Sequence, residues 1–418
     1  MQLTNKVNLK TALTAATCSL LGTNVQAEQE NEWAFDTALM YYGETDRVTA
    51  VEGIVAGTKE FADDHFLNLK FTFDSLTGAS ATGAVAQPVA QTFSRPSGND
   101  NYDVAPGETP LDDTFKDTRV QLNAQWTQPL STDYIGSAGV HLSKEYDYLS
   151  MGLNGSLGRY FNQKNTTVSV GFAYSHDVIE PEGGINTPLT AMVLANDNGD
   201  KKSTLGSDDS KDTFDLLFGL TQVINREMIM QLNYSISQVD GYMTDPFKII
   251  SVVDVNGYSQ QQLFESRPDA RTKQSVFWQT KYHLSDSVID FSYRYMWDDW
   301  EINSHTFDVK YYMPLGDGYL EPHVRYYMQE AAEFYQPFLL EGDIPEFASA
   351  DYRIGEMDGL TLGVKYGMPL KNNQELSFRL ELYKQTPTNA GFDAPGVLKD
   401  VELYEEVEAI IAQVSYSF

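Results

Sequence analysis

Apolar and polar residues alternate with a period of two in segment after segment of this 418-residue chain. In Phe66 to Asp74, Leu67, Leu69, Phe71 and Phe73 fall on one side, and Asn68, Lys70, Thr72 and Asp74 on the other. Successive side chains of an extended strand leave on opposite faces, so the pattern describes a ribbon with a dry side and a wet side. It returns in Arg119 to Thr127 and Thr167 to Ser175. Further copies run over Met228 to Ser237, Val288 to Asp298, Thr306 to Met313, Leu320 to Gln329, Leu360 to Met368 and Leu376 to Tyr383.

A soluble β-sandwich also alternates, and the connections separate the two readings. Short polar turns near Gln128–Asp133, Asn162–Asn165, Ile224–Glu227, His283–Ser287, Pro314–Gly318 and Leu370–Gln374 are interleaved with long segments near Ala79–Lys116, Asp177–Lys211, Asp240–Asp269, Glu330–Glu356 and Gln385–Asp400. Short turns at one end and long loops at the other is the order of an outer-membrane barrel. The chain also ends on an alternating strand, Ile410, Ala412, Val414, Tyr416 and Phe418, which is similar to the C-terminal signal that barrel-assembly machinery reads. Following this order from Trp33 gives about 16 strands, the even number that brings both termini to the periplasm. The expected fold is therefore all-β: a transmembrane antiparallel up-and-down β-barrel with short periplasmic turns and long extracellular loops. Two strands fit least well: Arg47 to Lys59 has few apolar residues, and the last begins among Glu402, Glu405, Glu406 and Glu408, which belong above the hydrocarbon or in the lumen.

Composition narrows the rest. Lys6 and Lys10, the short apolar run Thr11 to Gly22 and the small-residue site Val25-Gln26-Ala27 read as a secretory signal peptide over 1–27, leaving a barrel over 28–418. The one cysteine, Cys18, would leave with the signal, so no disulfide, thiolate metal site or thiol nucleophile is expected. Only Glu28 to Trp33 precede or begin the first strand, so no N-terminal plug of the siderophore-transporter kind is expected. A net charge of −30 excludes nucleic acid as a partner. The 25 Tyr and 22 Phe suit interfacial girdles.

The strings FDSLTGASATGA (Phe73 to Ala84), DTRVQLNAQW (Asp117 to Trp126), SKEYDYLS (Ser143 to Ser150), DGYMTDPFK (Asp240 to Lys248), SYRYMWDDWEINSHTF (Ser292 to Phe307) and EPHVRYYMQEAAEFY (Glu321 to Tyr335) resemble an uncharacterised proteobacterial family, a conserved domain of unknown function. Ala81 stands where that family has a proline. The resemblance implies an outer-membrane barrel and, through the genes that accompany the family, a periplasmic redox partner such as a flavin-transferase or thioredoxin-like system. It carries over no catalytic residue.

The wet faces hold charges of both signs. Lys70, Asp74, Arg119 and Asp215 come from the first half, and Asp290, Arg294, Asp308 and Lys310 from the central hairpins. Glu321, His323, Arg325, Lys365, Arg379 and Glu381 follow. In a water-filled lumen such residues tune selectivity; the plainer expectation for each is pairing with a neighbour. Arg294, Asp298 and His323 are candidates for one solute-contacting mouth, against the expectation that Trp297 and Trp300 mark the outer interface while the acids cap a turn. The acid-rich segments Asn99–Asp117 and Asp197–Asp212 lack calcium-loop spacing and read as solvated loops. No G-x-S-x-G occurs, Ser304 and His305 point to opposite faces, and the His141/Glu145 spacing is weak, so neither enzyme, metal nor cofactor is expected. The expected function is a porin-like channel or facilitator surrounded by outer-membrane lipid and lipopolysaccharide. The alternatives are a non-conducting docking barrel for a periplasmic redox, metal or flavin-insertion system, and a lipid hydrolase.

Overall fold

A computed structural model describes residues 33–61, 64–195, 202–388, 393–401, 403 and 406–418. The segment 1–27 read as a signal peptide, Asp197, Asp200, Glu402 and Glu405 lie outside them. Sixteen long strands close into one antiparallel barrel. The first half comprises β1 (Trp33–Glu44), β2 (Val48–Phe61), β3 (His65–Ala81), β4 (Leu111–Ser131), β5 (Tyr134–Lys144), β6 (Tyr148–Phe161), β7 (Thr166–Ile179) and β8 (Asp209–Val223). The second comprises β9 (Met228–Gly241), β10 (Ala270–Leu284), β11 (Ser287–Asp298), β12 (Asn303–Leu315), β13 (Gly318–Gln329), β14 (Met357–Pro369), β15 (Glu375–Pro387) and β16 (Val407–Ser417). Each pairs with its sequence neighbour, and β1 pairs with β16, with Leu39 opposite Val414 and Tyr41 opposite Ala412. Phe35 and Phe418 exchange backbone hydrogen bonds of 2.7 and 2.9 Å at the seam. Closure leaves no sheet edge, the condition for a β-structure in lipid, where each unpaired backbone group costs several kcal/mol.

Burial is inverted relative to a water-soluble domain. Leu39, Val140 and Leu382 are 60, 60 and 55% exposed, while Thr72 and Asp74, on the other face, are 2 and 4% exposed. An apolar outer surface this extensive needs hydrocarbon against it. Aromatic rings stack outside at the turn end: Trp33 on Phe35, Phe35 on Phe418 and Phe418 on Tyr416, with centroids 5.1–5.7 Å apart. Tyr295 and Trp297 form a similar pair at the loop end, 5.3 Å apart.

Several boundaries differ from the sequence reading. The strands β3 and β4 pair as far as Ala81 and Leu111, so both ends of the segment Ala79–Lys116 belong to the sheet. A register shift between Gly78 and Ser80 marks a bulge inside the Thr77–Ser80 string, and Gly78 has φ +138°, where a Cβ would stand 2.2 Å from the Arg47 carbonyl oxygen. Three connections at the loop end, 45–47, 145–147 and 299–302, are short, so the alternation of short and long is incomplete. The weak segment forms a strand from Val48 onward, and at the start of the last strand Glu406 and Glu408 stand beside Lys384 of β15, 2.6 and 3.5 Å away.

The five long loops do not remain solvated strings. The strand Ile249–Val253 is buried along its whole length, paired with Ser259–Phe264 on one side and Leu339–Leu340 on the other. Val85, Val253, Phe338 and Leu398 pack in one apolar cluster although their loops follow β3, β9, β13 and β15. Loops that start at such separated points of a ring meet only by crossing its opening. They therefore build a cap over the extracellular mouth with a core of its own.

Candidate functional site

The inward faces of β10 to β15 carry the densest set of charges, arranged in tiers. At the loop end Arg271 donates to Asp298, whose other oxygen accepts from Trp300 N at 3.0 Å and Ile302 N at 2.9 Å. The acid caps the turn as the sequence suggested. Trp300 is not at the outer interface, however: it is 4% exposed and packs edge-on against Phe334, 5.0 Å away, in the cap. An indole whose N–H finds the Ala270 carbonyl at 3.0 Å can be buried at little cost.

The middle tier centres on His323. Its Nδ1 lies 2.9 Å from Glu381 and its Nε2 2.9 Å from Asp308. A ring held between two carboxylates satisfies both only by donating from both nitrogens, as an imidazolium. Lys310 approaches Asp308 and Arg379 approaches Glu381, each at 4.0 Å. Glu381 reaches His323 from β15 by crossing β14 at Gly363, where an added Cβ would stand 2.6 Å from the Glu381 Cγ. We expect Gly363→Ala to push Glu381 off the ring while leaving the barrel closed. Histidine ¹⁵N NMR in detergent micelles should then show the Nδ1 resonance moving and Nε2 staying; an unchanged spectrum would refute the crossing.

Below, near the periplasmic mouth, a cavity of about 300 Å³ is lined by Tyr312, Tyr319, Glu321 and Glu375. Tyr319 donates to Glu375 at 2.7 Å, and Lys365 lies 3.7 Å from the same carboxylate. Arg294, Asp298 and His323 thus sit at different heights and do not form one mouth site.

The remaining inward charges are spread around the wall. Arg119 donates to Asp74 at 2.8 Å, with Glu52 at 3.8 Å. Lys281 lies 3.2 Å from Asp290. Asp215 stands on β8 opposite Ala173 and Ser237, and Lys70 on β3 opposite Ala56 and Asn123. Arg294 and Arg325 are exposed inside the barrel.

For metals, Asp117, Glu145 and Asp147 form a carboxylate group with ligand atoms within 4.8 Å of one another. Arg119, 4.0 Å from Glu145, supplies positive charge there already. Burial, and then the neighbouring Asp117, push the Glu145 carboxyl up to about 7. His141 is not part of it; its Nδ1 faces Asn123 at 2.8 Å. Ser304 is buried on the inward side, while His305 stacks outside with Tyr293, so the two cannot serve as nucleophile and base.

Sequence reasoning missed the ion network that holds the cap. Arg267 donates to Glu265 at 3.1 Å and to Asp351 at 2.7 Å. Arg353 bridges Asp351 and Asp245, at 2.9 and 2.6 Å, and Ser349 donates to Glu265. Glu265 and Asp351 are 0 and 1% exposed. Burial raises the Asp351 carboxyl, but Arg353, Lys248 and Arg267 outweigh it and hold the group below the usual range. Burial dominates at Glu265, which stays raised. No motif announces this network, because its members come from two loops some 80 residues apart in the chain (Ser349 and Glu265 differ by 84 positions).

Solved structures similar in fold include CdiB from Acinetobacter baumannii, with 10% identity, a TM-score of 0.46, and coverage of 94% of this chain and 61% of that one. The CymD monoaromatic hydrocarbon channel gives 8%, 0.41, 99% and 93%, and OprD of Pseudomonas aeruginosa gives 9%, 0.41, 93% and 96%. The chain thus spans less than two thirds of the length of CdiB. No curated protein matches it in sequence. One family model matches residues 10–418, and the chain belongs to that family, the proteins of unknown function DUF3570.

Proposed function

We propose that this protein is a porin-like facilitator that passes a small hydrophilic solute across the outer membrane, with the loop cap controlling access from outside. The observation that carries the reading is the charged inner wall: Arg294 and Arg325 are exposed although they face into the barrel, so water borders the wall at mid-height. A ring of 16 strands is wide enough for an aqueous channel. The reading includes lipopolysaccharide around the extracellular rim and recognition of the last strand, ending in Tyr416 and Phe418, by barrel-assembly machinery.

The cap favours a second reading, a closed barrel that docks a periplasmic redox or cofactor-inserting partner. One measurement separates them. Refolded protein added to planar lipid bilayers should give discrete conductance steps. Barrels that insert, as judged by heat-modifiable migration and protease protection, yet stay silent at every voltage would leave the docking reading in place.

A further inference from the structure

Five arginines on the strands point into the barrel. Three, Arg119, Arg271 and Arg379, have a carboxylate within 4.0 Å. Arg294 and Arg325 have none among the described residues, and in a chain of net charge −30 that is against the composition. Their isolation has a structural cause. Asp308 stands directly opposite Arg325 on the adjacent strand, the natural cross-strand partner. Its carboxylate goes instead to His323 Nε2, and Glu381, the next acid along the wall, goes to Nδ1. The imidazole holds both acids and leaves Arg325 with no carboxylate within 4.0 Å among the described residues.

Arg294 joins it by register. Arg294 pairs with Thr306, Thr306 with Tyr327, and Arg325 is two residues along from Tyr327 on β13. Two strand spacings and two residue rises put the Cα atoms about 12 Å apart, so two long side chains from the same wall reach one intervening space. The Arg294 guanidinium lies over the Phe277 ring, 5.3 Å from its centroid, which fixes its plane and leaves its N–H edge to the lumen. Two guanidinium forks presenting ten N–H donors match a planar or tetrahedral oxyanion.

We propose that Arg294 and Arg325 form a binding site for a small oxyanion, a phosphate or carboxylate group, and that His323 is its positioning residue, keeping Asp308 and Glu381 away from Arg325. The site deepens the facilitator reading and rests on it for its role, since it names the class of solute.

The test uses the whole folded protein in detergent and does not depend on conduction. Inorganic phosphate is titrated and followed by ³¹P line broadening. Wild type should bind; R294Q/R325Q should weaken binding at least tenfold; H323A, which frees both acids, should weaken it as well, although it removes no arginine. R159Q/K384Q, which deletes two cations from the outer face, should bind as wild type does. Absence of phosphate binding in wild type, or equal binding by R294Q/R325Q, would overturn the proposal. So would equal loss in R159Q/K384Q, which would mean attraction by net charge alone. Specific binding by a barrel that is silent in bilayers keeps the site and removes the facilitator, whereas conductance unaltered by R294Q/R325Q with no phosphate binding does the reverse.

Discussion

A barrel carrying Arg267→Ala should keep its closed sheet and lose its cap. Arg267 is the hinge of the buried network, with its side chain 10% exposed between Glu265 at 0% and Asp351 at 1%. Removing it strands two carboxylates in a low-dielectric core, and breaking one partner out of a buried ion pair costs about 3–5 kcal/mol. The sixteen-strand ladder does not share that loss, because the network joins the loop 242–269 to the loop 330–356 and neither is part of the sheet. Limited proteolysis of the folded protein in detergent should therefore cut both loops on the order of a hundredfold faster or more, since each 1.4 kcal/mol is a factor of ten in the open population. Heat-modifiable migration should persist. In bilayers the same variant should conduct more than wild type. A triple variant, Glu265→Gln, Arg267→Met and Asp351→Asn, removes the charges together and should recover much of the protection. Loop cleavage at the wild-type rate in Arg267→Ala would show that the apolar clusters alone hold the cap.

The contrast between sheet and cap also explains what could be read from the sequence. Alternation is a local signal: whether Leu69 or Lys70 faces lipid is settled by its neighbours two residues away, and the order of short turns and long connections supplied the strand count. The cap carries no such period. Ile249–Val253 is a run of five buried residues that belongs to a loop by position, and its partners come from four other connections. Trp300 shows the same limit: a tryptophan at a strand end reads as an interface marker, and only the presence of Phe334 and Ile354 above it turns it into a core residue.

The wall illustrates a subtler gap. The charged residues singled out on the wet face alternate with exposed apolar ones, yet the sequence did not say which would be neutralised. That depends on Gly363, a residue with no chemistry of its own, whose missing Cβ lets Glu381 cross a strand to His323. Cross-strand neighbours suggest Asp308 with Arg325 as the pair, and the observed partner is His323, two residues along the same strand. Pair assignments in a sheet are competitive, so an ion-pair map needs the side-chain geometry that alternation does not encode.

Leu380→Arg should destabilise the barrel by about 2–4 kcal/mol, the cost of a cation at the hydrocarbon midplane. Leu380 lies in the middle of β15, 51% exposed, between the inward-facing Arg379 and Glu381. In a water-soluble sheet the same change at a half-exposed position stays within about 0.5 kcal/mol. Leu370 supplies the control: it is 45% exposed, almost the same, but sits in the periplasmic turn between β14 and β15. Leu370→Arg should cost no more than about 1 kcal/mol, because the penalty falls away toward the interface. Urea unfolding of protein refolded into lipid vesicles, followed by tryptophan fluorescence, measures both. A large loss at 380 with a small one at 370 is the signature of depth, since side-chain type and exposure are matched. Equal small losses would mean that water, not lipid, covers Leu380, and the inverted burial of the whole outer face would need another explanation.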